Sequence, residues 1–312
     1  MTDTQRAVLA ALGDGPVTGP DLAADLDISR AAVWKHVEAL RAAGVEVESG
    51  PEGYSIGTIH GYSGPAIEAC LEAPFSIEYH DAIDSTNERA RILAGDGATD
   101  VAIVADRQTG GRGRLDREWS SPPGGIWMSL LVRPRIPPGR VPLLTLAAAV
   151  SVTEASREIG VEAQIKWPND VVVPAANERG YLKLAGILTA MEGETDRVEW
   201  VVVGMGVNAN VDDEELPPGA TSLRALGDDV DRRAFVQTVL EDLERWRADL
   251  ESVVGRWREL ALTLGQRVQI DRADGAVVGE AVDVTATGGL VVETENGRVT
   301  VQAGDCEHLR PA

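Results

Sequence analysis

Gln108-Thr109-Gly110-Gly111-Arg112-Gly113-Arg114-Leu115-Asp116-Arg117-Glu118-Trp119 is the stretch on which the reading of this 312-residue chain turns. It follows the apolar run Val101–Ala105 and precedes Ile126–Val132, both of which read as buried strands. It is therefore a loop rooted in a core, unlike the glycine-arginine tails that lie free in solvent. Three glycines let backbone N–H groups approach an anion, and three arginines offer forked donors to phosphate or carboxylate. Trp119 adds a flat face suited to a purine ring. So much cation on one loop calls for an anionic partner, and the loop is expected to be mobile when empty. No Gly-x-x-x-x-Gly-Lys-Ser/Thr phosphate loop occurs, so a nucleotide would be held by these other means.

Working outward, only three lysines are present, Lys35, Lys166 and Lys183, which makes each a candidate for a specific task. Lys166-Trp167-Pro168-Asn169-Asp170 follows the strand-like 163–165 and sets an ammonium, an amide and a carboxylate at a strand end; the same residues would also make an ordinary turn. Lys183-Leu184-Ala185-Gly186-Ile187-Leu188 reads as a lysine opening an apolar strand, with Gly186 permitting close approach; a surface lysine at a strand edge is the other reading, which the scarcity of lysine weakens. Gly204-Met205-Gly206-Val207-Asn208 follows the apolar run 198–203; its glycines would admit a ligand against the backbone, and Asn208 can pair with an adenine edge. Before the arginine loop, Asp84-Ser85-Thr86-Asn87-Glu88 carries a capping-box pattern ahead of the helical 89–93. Spacing alone favours a plain cap there, although a helix N-terminus also suits a ligand carbonyl or anion. Elsewhere 143–150 reads as a helix, and 233–254 as one continuous amphipathic helix.

The two ends differ in kind. In residues 1–57, Thr18 and Ser29 are N-cap candidates, Val33, Val37 and Leu40 keep helical spacing, and Gly44 ends that helix. The segments 45–48 and 54–56 around Ser49-Gly50-Pro51-Glu52-Gly53 read as a hairpin. This is a helix-turn-helix with a wing, whose second helix exposes Arg30, Ala31, Trp34, Lys35 and Arg41 for groove and phosphate contact. Nine carboxylates against four Lys/Arg in that section argue against strong nonspecific DNA binding, and a small packing domain is the other reading. From about Thr263, the segments 268–270, 276–278, 281–284, 290–293 and 298–301 alternate with turns at Ala273-Asp274-Gly275 and Glu295-Asn296-Gly297, which suggests a small barrel.

Composition bounds the classes. The formal charge of −21 comes from 50 Asp+Glu against 29 Lys+Arg spread along the chain, a pattern suited to strong ionic screening as in halophiles, with an ordinary acidic cytoplasmic protein as the other reading. No apolar run approaches the ~20 residues of a membrane span and residues 1–6 do not form a signal peptide, so a cytoplasmic chain is expected. Cys70 and Cys306 are too few for a disulfide framework or a cysteine-rich zinc site.

Taken in order, these segments resemble biotin–protein ligases, specifically the bifunctional type that doubles as biotin-operon repressor, and the resemblance covers nearly the whole chain. It implies a multidomain α+β protein: a winged helix-turn-helix (1–57), a mixed-sheet ligase domain of class II aminoacyl-tRNA synthetase type (64–262) and an SH3-like β-barrel (263–312). It further implies ATP-dependent transfer of biotin, through biotinyl-AMP, to a lysine of a biotin carboxyl carrier protein, with operator DNA as a second partner and a homodimer as the assembly. By resemblance, Ser85, Thr86 and Gln108 hold the ureido ring with Asn87 beside them. Gly111, Arg112, Gly113 and Arg114 come from the loop that closes over the ligand, and Gly186, Gly204 and Gly206 complete the biotin site. Lys183 would lie between biotin's carboxylate and the α-phosphate, acting in catalysis with Arg114. Arg117, Trp119, Lys166, Asn169 and Asn208 are assigned to ATP and Asp170 to Mg²⁺; Arg30, Ala31, Trp34 and Lys35 are assigned to DNA. The departures are Asp116, where many relatives have glycine, and the acidic N-terminal domain. A biotin sensor without ligase activity and a lipoate-type acyl ligase are the alternatives.

Overall fold

The structure, a computed structural model, describes all residues except Asp14, Cys70, Ala273, Asp274 and 310–312, so most of the turn expected at Ala273-Asp274-Gly275 lies outside the described residues. The chain opens with helices α1 (Asp3–Gly13), α2 (Gly19–Asp25) and α3 (Arg30–Ala42), followed by a hairpin of β1 (Val45–Gly50) and β2 (Gly53–Ile59). Thr18 and Ser29 cap α2 and α3 through the backbone N–H groups of Asp21 and Ala32. Val8, Leu12, Leu22, Val33, Val37, Leu40, Val45 and Val47 bury their side chains in one small core. Arg41 is only partly exposed and its guanidinium is engaged rather than free for phosphate contact: it folds back on the Val47 carbonyl and on Glu38, because the start of the wing passes alongside it. Arg30, Ala31, Trp34 and Lys35 do face outward.

The central section runs α4 (Gly64–Glu68), β3 (Ser76–His80), α5 (Thr86–Gly95), β4 (Val101–Ala105), β5 (Ile126–Val132), α6 (Pro142–Glu158), β6 (Gln164–Lys166), β7 (Asp170–Pro174), β8 (Tyr181–Gly193), β9 (Val198–Val207), α7 (Leu223–Leu226), α8 (Arg232–Ala248) and α9 (Leu250–Leu260). Its seven strands form one mixed sheet in the order β3-β4-β5-β9-β8-β7-β6, antiparallel except for the β3–β4 pair. Helix α6 covers one face, with α8 and α9 packed behind it; small residues Ala147, Ala148 and Ala149, all fully buried, let it approach closely. Helix α5 lies against β4, β5 and β9. The amphipathic run 233–254 is two helices, not one. Asp249 leaves helical dihedrals (φ −132°, ψ 68°) and its carboxylate accepts the Ser252 N–H, capping α9. Apolar periodicity does not register the break because both helices press on the same core.

The last section is a five-stranded antiparallel sheet, β13-β12-β11-β10-β14, made of β10 (Arg267–Arg272), β11 (Gly275–Val284), β12 (Leu290–Thr294), β13 (Gly297–Val301) and β14 (Asp305–His308). Segments 276–278 and 281–284 are parts of the single strand β11; the interruption between them is Gly279 and the exposed Glu280, across which the pairing with β10 runs on unbroken. Strand β14 is too short and too polar to announce itself in the sequence. It is nevertheless a strand that ties this sheet to the central section, its Cys306 carbonyl accepting from the Lys166 ammonium.

Candidate functional site

A cavity of about 250 Å³ opens between the N-terminus of α5, strands β8 and β9, the arginine loop and the start of β14. At its inner end Ser85 caps α5, accepting from Glu88 N at 3.3 Å. The cap leaves the next two residues pointing into the cavity. Thr86 donates through both its N–H (2.8 Å) and its hydroxyl (3.1 Å) to Gln108 Oε1, and its hydroxyl also meets Ser129 Oγ at 2.8 Å. Ser129 Oγ donates to Asn87 Oδ1, and Gln108 Nε2 to Ser121 Oγ. These side chains form a buried network of directed donors and acceptors beside a helix N-terminus, suited to a small neutral polar head group. Ser129 was not among the expected site residues; it is the one hydroxyl in the otherwise apolar strand β5, and that exception was its signal.

The opposite wall carries charge. Lys183 Nζ lies 2.6 Å from Asp170 Oδ1 and 5.0 Å from the centre of the Trp119 ring. Its backbone is clamped on both sides: Lys183 N donates to Gly219 O, Lys183 O accepts from Thr221 N, and β7 pairs Val172 with it. The register shifts next to it, so Leu184 is an extra residue on β8; such a bulge re-aims the neighbouring side chains. The Leu184 carbonyl is satisfied by Asn208 N, and the Asn208 amide donates to Thr221 O. Asn208 is thus buried behind the wall, supporting the strand that carries Lys183, and does not present its amide to the cavity.

Lys166 is placed away from the cavity as well. It is buried, and its ammonium donates to the Cys306 carbonyl at 2.5 Å, beside the ring of Tyr181. With Trp167, whose N–H groups reach Thr263 Oγ1 (2.9 Å) and Gly288 O (3.1 Å), it fastens the β6–β7 turn to the C-terminal sheet. Asn169 and Asp170, from the same turn, do face the cavity.

The arginine loop finds its partners inside the molecule. Arg114 donates to Asn169 Oδ1 (3.0 Å) and to Gly304 O (2.9 Å), while Arg117 pairs with Asp305 at 2.5 Å. Arg112 and Gly113 also line the cavity, whereas Gly111 is buried behind the loop, where a Cβ would meet Trp119 O at 2.5 Å. Leu115 and Asp116 both hold positive φ, 56° and 55°. The backbone at 116 is left-handed, the conformation for which the glycine that the resemblance leads one to expect is suited, and Asp is among the side chains that tolerate it.

The glycines of β8 and β9 bring the protein's own side chains close. A Cβ on Gly206 would lie 2.7 Å from Trp119 Nε1, and one on Gly204 would lie 2.6 Å from Asn87 Oδ1. Trp119 also lies on Gly186, its indole filling the space over both strands and its buried N–H left without a partner. Asp305 enters the cavity lining from a part of the chain where nothing in the sequence pointed to it.

A winged helix-turn-helix precedes a mixed sheet whose cavity sets a hydrogen-bonding network opposite Lys183 and the loop arginines, the layout of a protein that joins a DNA-binding type of domain to a site for a ligand with a polar head and an anionic end. Residues 4–55 match the HTH domain family, residues 79–208 the biotin/lipoate A/B protein ligase family and residues 263–309 the biotin protein ligase C-terminal domain. The chain is 36% identical over 318 residues to the bifunctional ligase/repressor BirA of Bacillus subtilis, covering 95% of this chain and 94% of that one. It is 29% identical to BirA of Escherichia coli, covering 92% of each. The solved biotin protein ligase of Aquifex aeolicus in complex with biotin and ATP superposes with a TM-score of 0.61 at 31% identity, covering 75% of this chain and 99% of that one. The chain belongs to the bifunctional biotin ligase/repressor family.

Proposed function

We propose that this chain joins biotin to a lysine of a biotin carboxyl carrier protein at the expense of ATP, and that it represses transcription by binding operator DNA in response to biotin. The observation that carries the ligase reading is the pairing, in one cavity, of the Thr86–Gln108–Ser129–Asn87 network with Lys183 and the loop arginines. A ureido ring suits the first and an anionic acyl phosphate the second.

In the first step a biotin carboxylate oxygen forms a bond to the α-phosphorus of ATP while the bond to the bridging oxygen of pyrophosphate breaks. The carboxylate is ionised at neutral pH, so the protein's task is positioning and charge neutralisation rather than proton removal. Lys183, already fixed beside Asp170, neutralises charge on the non-bridging oxygens; Arg112, Arg114 and Arg117 hold the phosphates, with Asn169 anchoring the loop. Adenine stacks on Trp119 once that indole is displaced from its glycine floor. In the second step a carrier lysine attacks the biotinyl carbonyl; AMP departs and the new amide sheds a proton. Lys166 and Asn208 serve ATP indirectly, by holding the turn and strand that present Asn169, Asp170 and Lys183.

Mg²⁺ fits this donor set. Asp170 offers a carboxylate to the cavity, and a hard cation that keeps waters and phosphate oxygens needs little more from the protein. Among the described residues no group of three or more His, Cys, Asp or Glu could hold a metal alone, so nucleotide phosphates would complete its shell. Bound there, the ion would supply further charge neutralisation at the polyphosphate. Homodimerisation and a cytoplasmic setting belong to the same reading; among the described residues no helix is long and apolar enough to cross a membrane.

The test mixes the protein with ATP, Mg²⁺, biotin and a carrier domain at high salt and reads biotinylated carrier by mass. Product establishes the ligase. Biotin binding without product would leave a sensor, and pyrophosphate exchange driven by lipoate in place of biotin would make it a lipoate-type ligase.

A further inference from the structure

The N-terminal domain is short of cations that could meet DNA, and it leaves a tryptophan in water. Of the four Lys/Arg in residues 1–57, Arg6 is held by Asp3 and Glu68, and Arg41 by Glu38 and the Val47 carbonyl. Arg30 and Lys35 remain, both exposed on α3. The wing adds no basic residue: β1 and β2 and their turn carry Glu46, Glu48 and Glu52, all exposed. Yet Trp34, on the outer face of α3, is 59% exposed, and it is the one aromatic among the large apolar side chains left exposed in the described residues. The fold does not use it, since α3 is docked by Val33, Val37 and Leu40 on its other side. Ala31, one turn earlier, shares its face.

We propose that this domain reads its operator mainly by an apolar contact of Trp34, backed by Ala31, with thymine 5-methyl groups in the major groove, while neutralising few phosphates. The inference rests on the repressor reading above. The first turns of α3 are the part of a helix-turn-helix that reaches base edges, and the thymine methyl is the apolar mark that the groove presents there. Two outward cations per domain predict a weak salt dependence, with log K falling by about 2 per unit of log salt for each bound domain. A chain carrying −21 overall gains nothing from long-range attraction to DNA, so a contact indifferent to screening is the one it can use at high ionic strength.

The experiment uses the full chain with biotin and ATP to select duplexes from a randomised pool. Fluorescence anisotropy then tracks the selected duplex across a KCl series, with thymidine or deoxyuridine, for wild type, Trp34→Ala and Trp34→Phe. The expected salt slope is about −2 per bound domain. Uracil should weaken wild-type binding roughly tenfold, Trp34→Ala should bind the thymidine duplex about tenfold more weakly than wild type, and uracil should change Trp34→Ala binding by no more than about twofold. Trp34→Phe should retain part of the thymine preference. A slope of about −5 or steeper per bound domain, or a uracil penalty equal in wild type and Trp34→Ala, overturns the proposal and leaves the repressor reading standing. A pool that yields no bound duplex overturns both.

Discussion

Lys183 shows how much placement precedes chemistry in this site. Its side chain is two-thirds shielded, with the ammonium paired with Asp170 and backed by Trp119, and its backbone is held by β7 on one side and the 219–221 segment on the other. Replacing it with alanine removes a charge from a partly exposed pair, whose contribution to stability is small. The expected loss lies in the transition state: Lys183→Ala should slow biotin-dependent pyrophosphate exchange by roughly 10²–10³-fold, with thermal midpoint nearly unchanged. An exchange rate at the wild-type level would end the charge-neutralising role. Gly206 makes a complementary case. A methyl there would meet the Trp119 indole at 2.7 Å and would stand on the floor that the displaced ring leaves to the ligand, so Gly206→Ala should cut exchange by at least about tenfold, while Gly206 itself lends no functional group. Exchange at the wild-type level would show that the ligand does not use that floor.

At the scale of elements, the arginine loop is a strap between two domains. Arg114 holds Asn169 of the β6–β7 turn with one nitrogen and Gly304 of the C-terminal section with another. Arg114→Ala removes both tethers and one phosphate clamp, and should speed release of biotinyl-AMP about tenfold in a stopped-flow chase, with biotin bound more weakly. An unchanged residence time would contradict the strap. Much of this element-level picture was legible beforehand, because its signals are local: Val101–Ala105 and Ile126–Val132 declare themselves by unbroken apolar runs, and Ser29 and Ser85 by their caps. The arginine loop was legible for the same reason, whereas the α5 cap read on spacing alone as a plain cap and its residues were tied to a ligand only by resemblance. What sequence could not show is long-range partnership. The loop's charge looked as if it awaited a ligand, whereas Asp305, 188 positions from Arg117, already answers it. Resemblance assigns Lys166 and Asn208 to ATP, yet each donates to a carbonyl across a domain or strand boundary. The glycines at 204 and 206 signalled a close approach correctly but not what approaches.

For the whole molecule, the question is what keeps the C-terminal sheet seated over the site, and a titratable group stands at that seam. His308, at the end of β14, meets Thr263 Oγ1 at 3.2 Å and the edge of Tyr181, with the Lys166 ammonium nearby. Burial, and secondarily Lys166, push its imidazole down to about 4 from the usual 6.5. Below pH 6.5 the unfolded chain therefore takes up a proton that the folded chain refuses, so the stability contributed by His308 is complete above that pH and is lost as pH falls towards 4. Asp242 on α8 works in the opposite sense. Burial raises its carboxyl to about 6, so its contribution is complete below its ordinary value near 3.8 and is lost as pH rises through 6. The two offset each other in a simple melting curve of the wild type, and the difference between wild type and a His308→Gln variant isolates the seam. Glutamine keeps a donor for Thr263 without a titrating ring, so the wild type should lose thermal midpoint relative to the variant between pH 6.5 and 4. Because Gly304 and Asp305 tether the arginine loop from the same short segment, biotinyl-AMP release should accelerate over that interval in the wild type and less in His308→Gln. Parallel melting curves would mean that the imidazole does not titrate across the seam; diverging curves with equal release rates would mean that the sheet can loosen without freeing the loop.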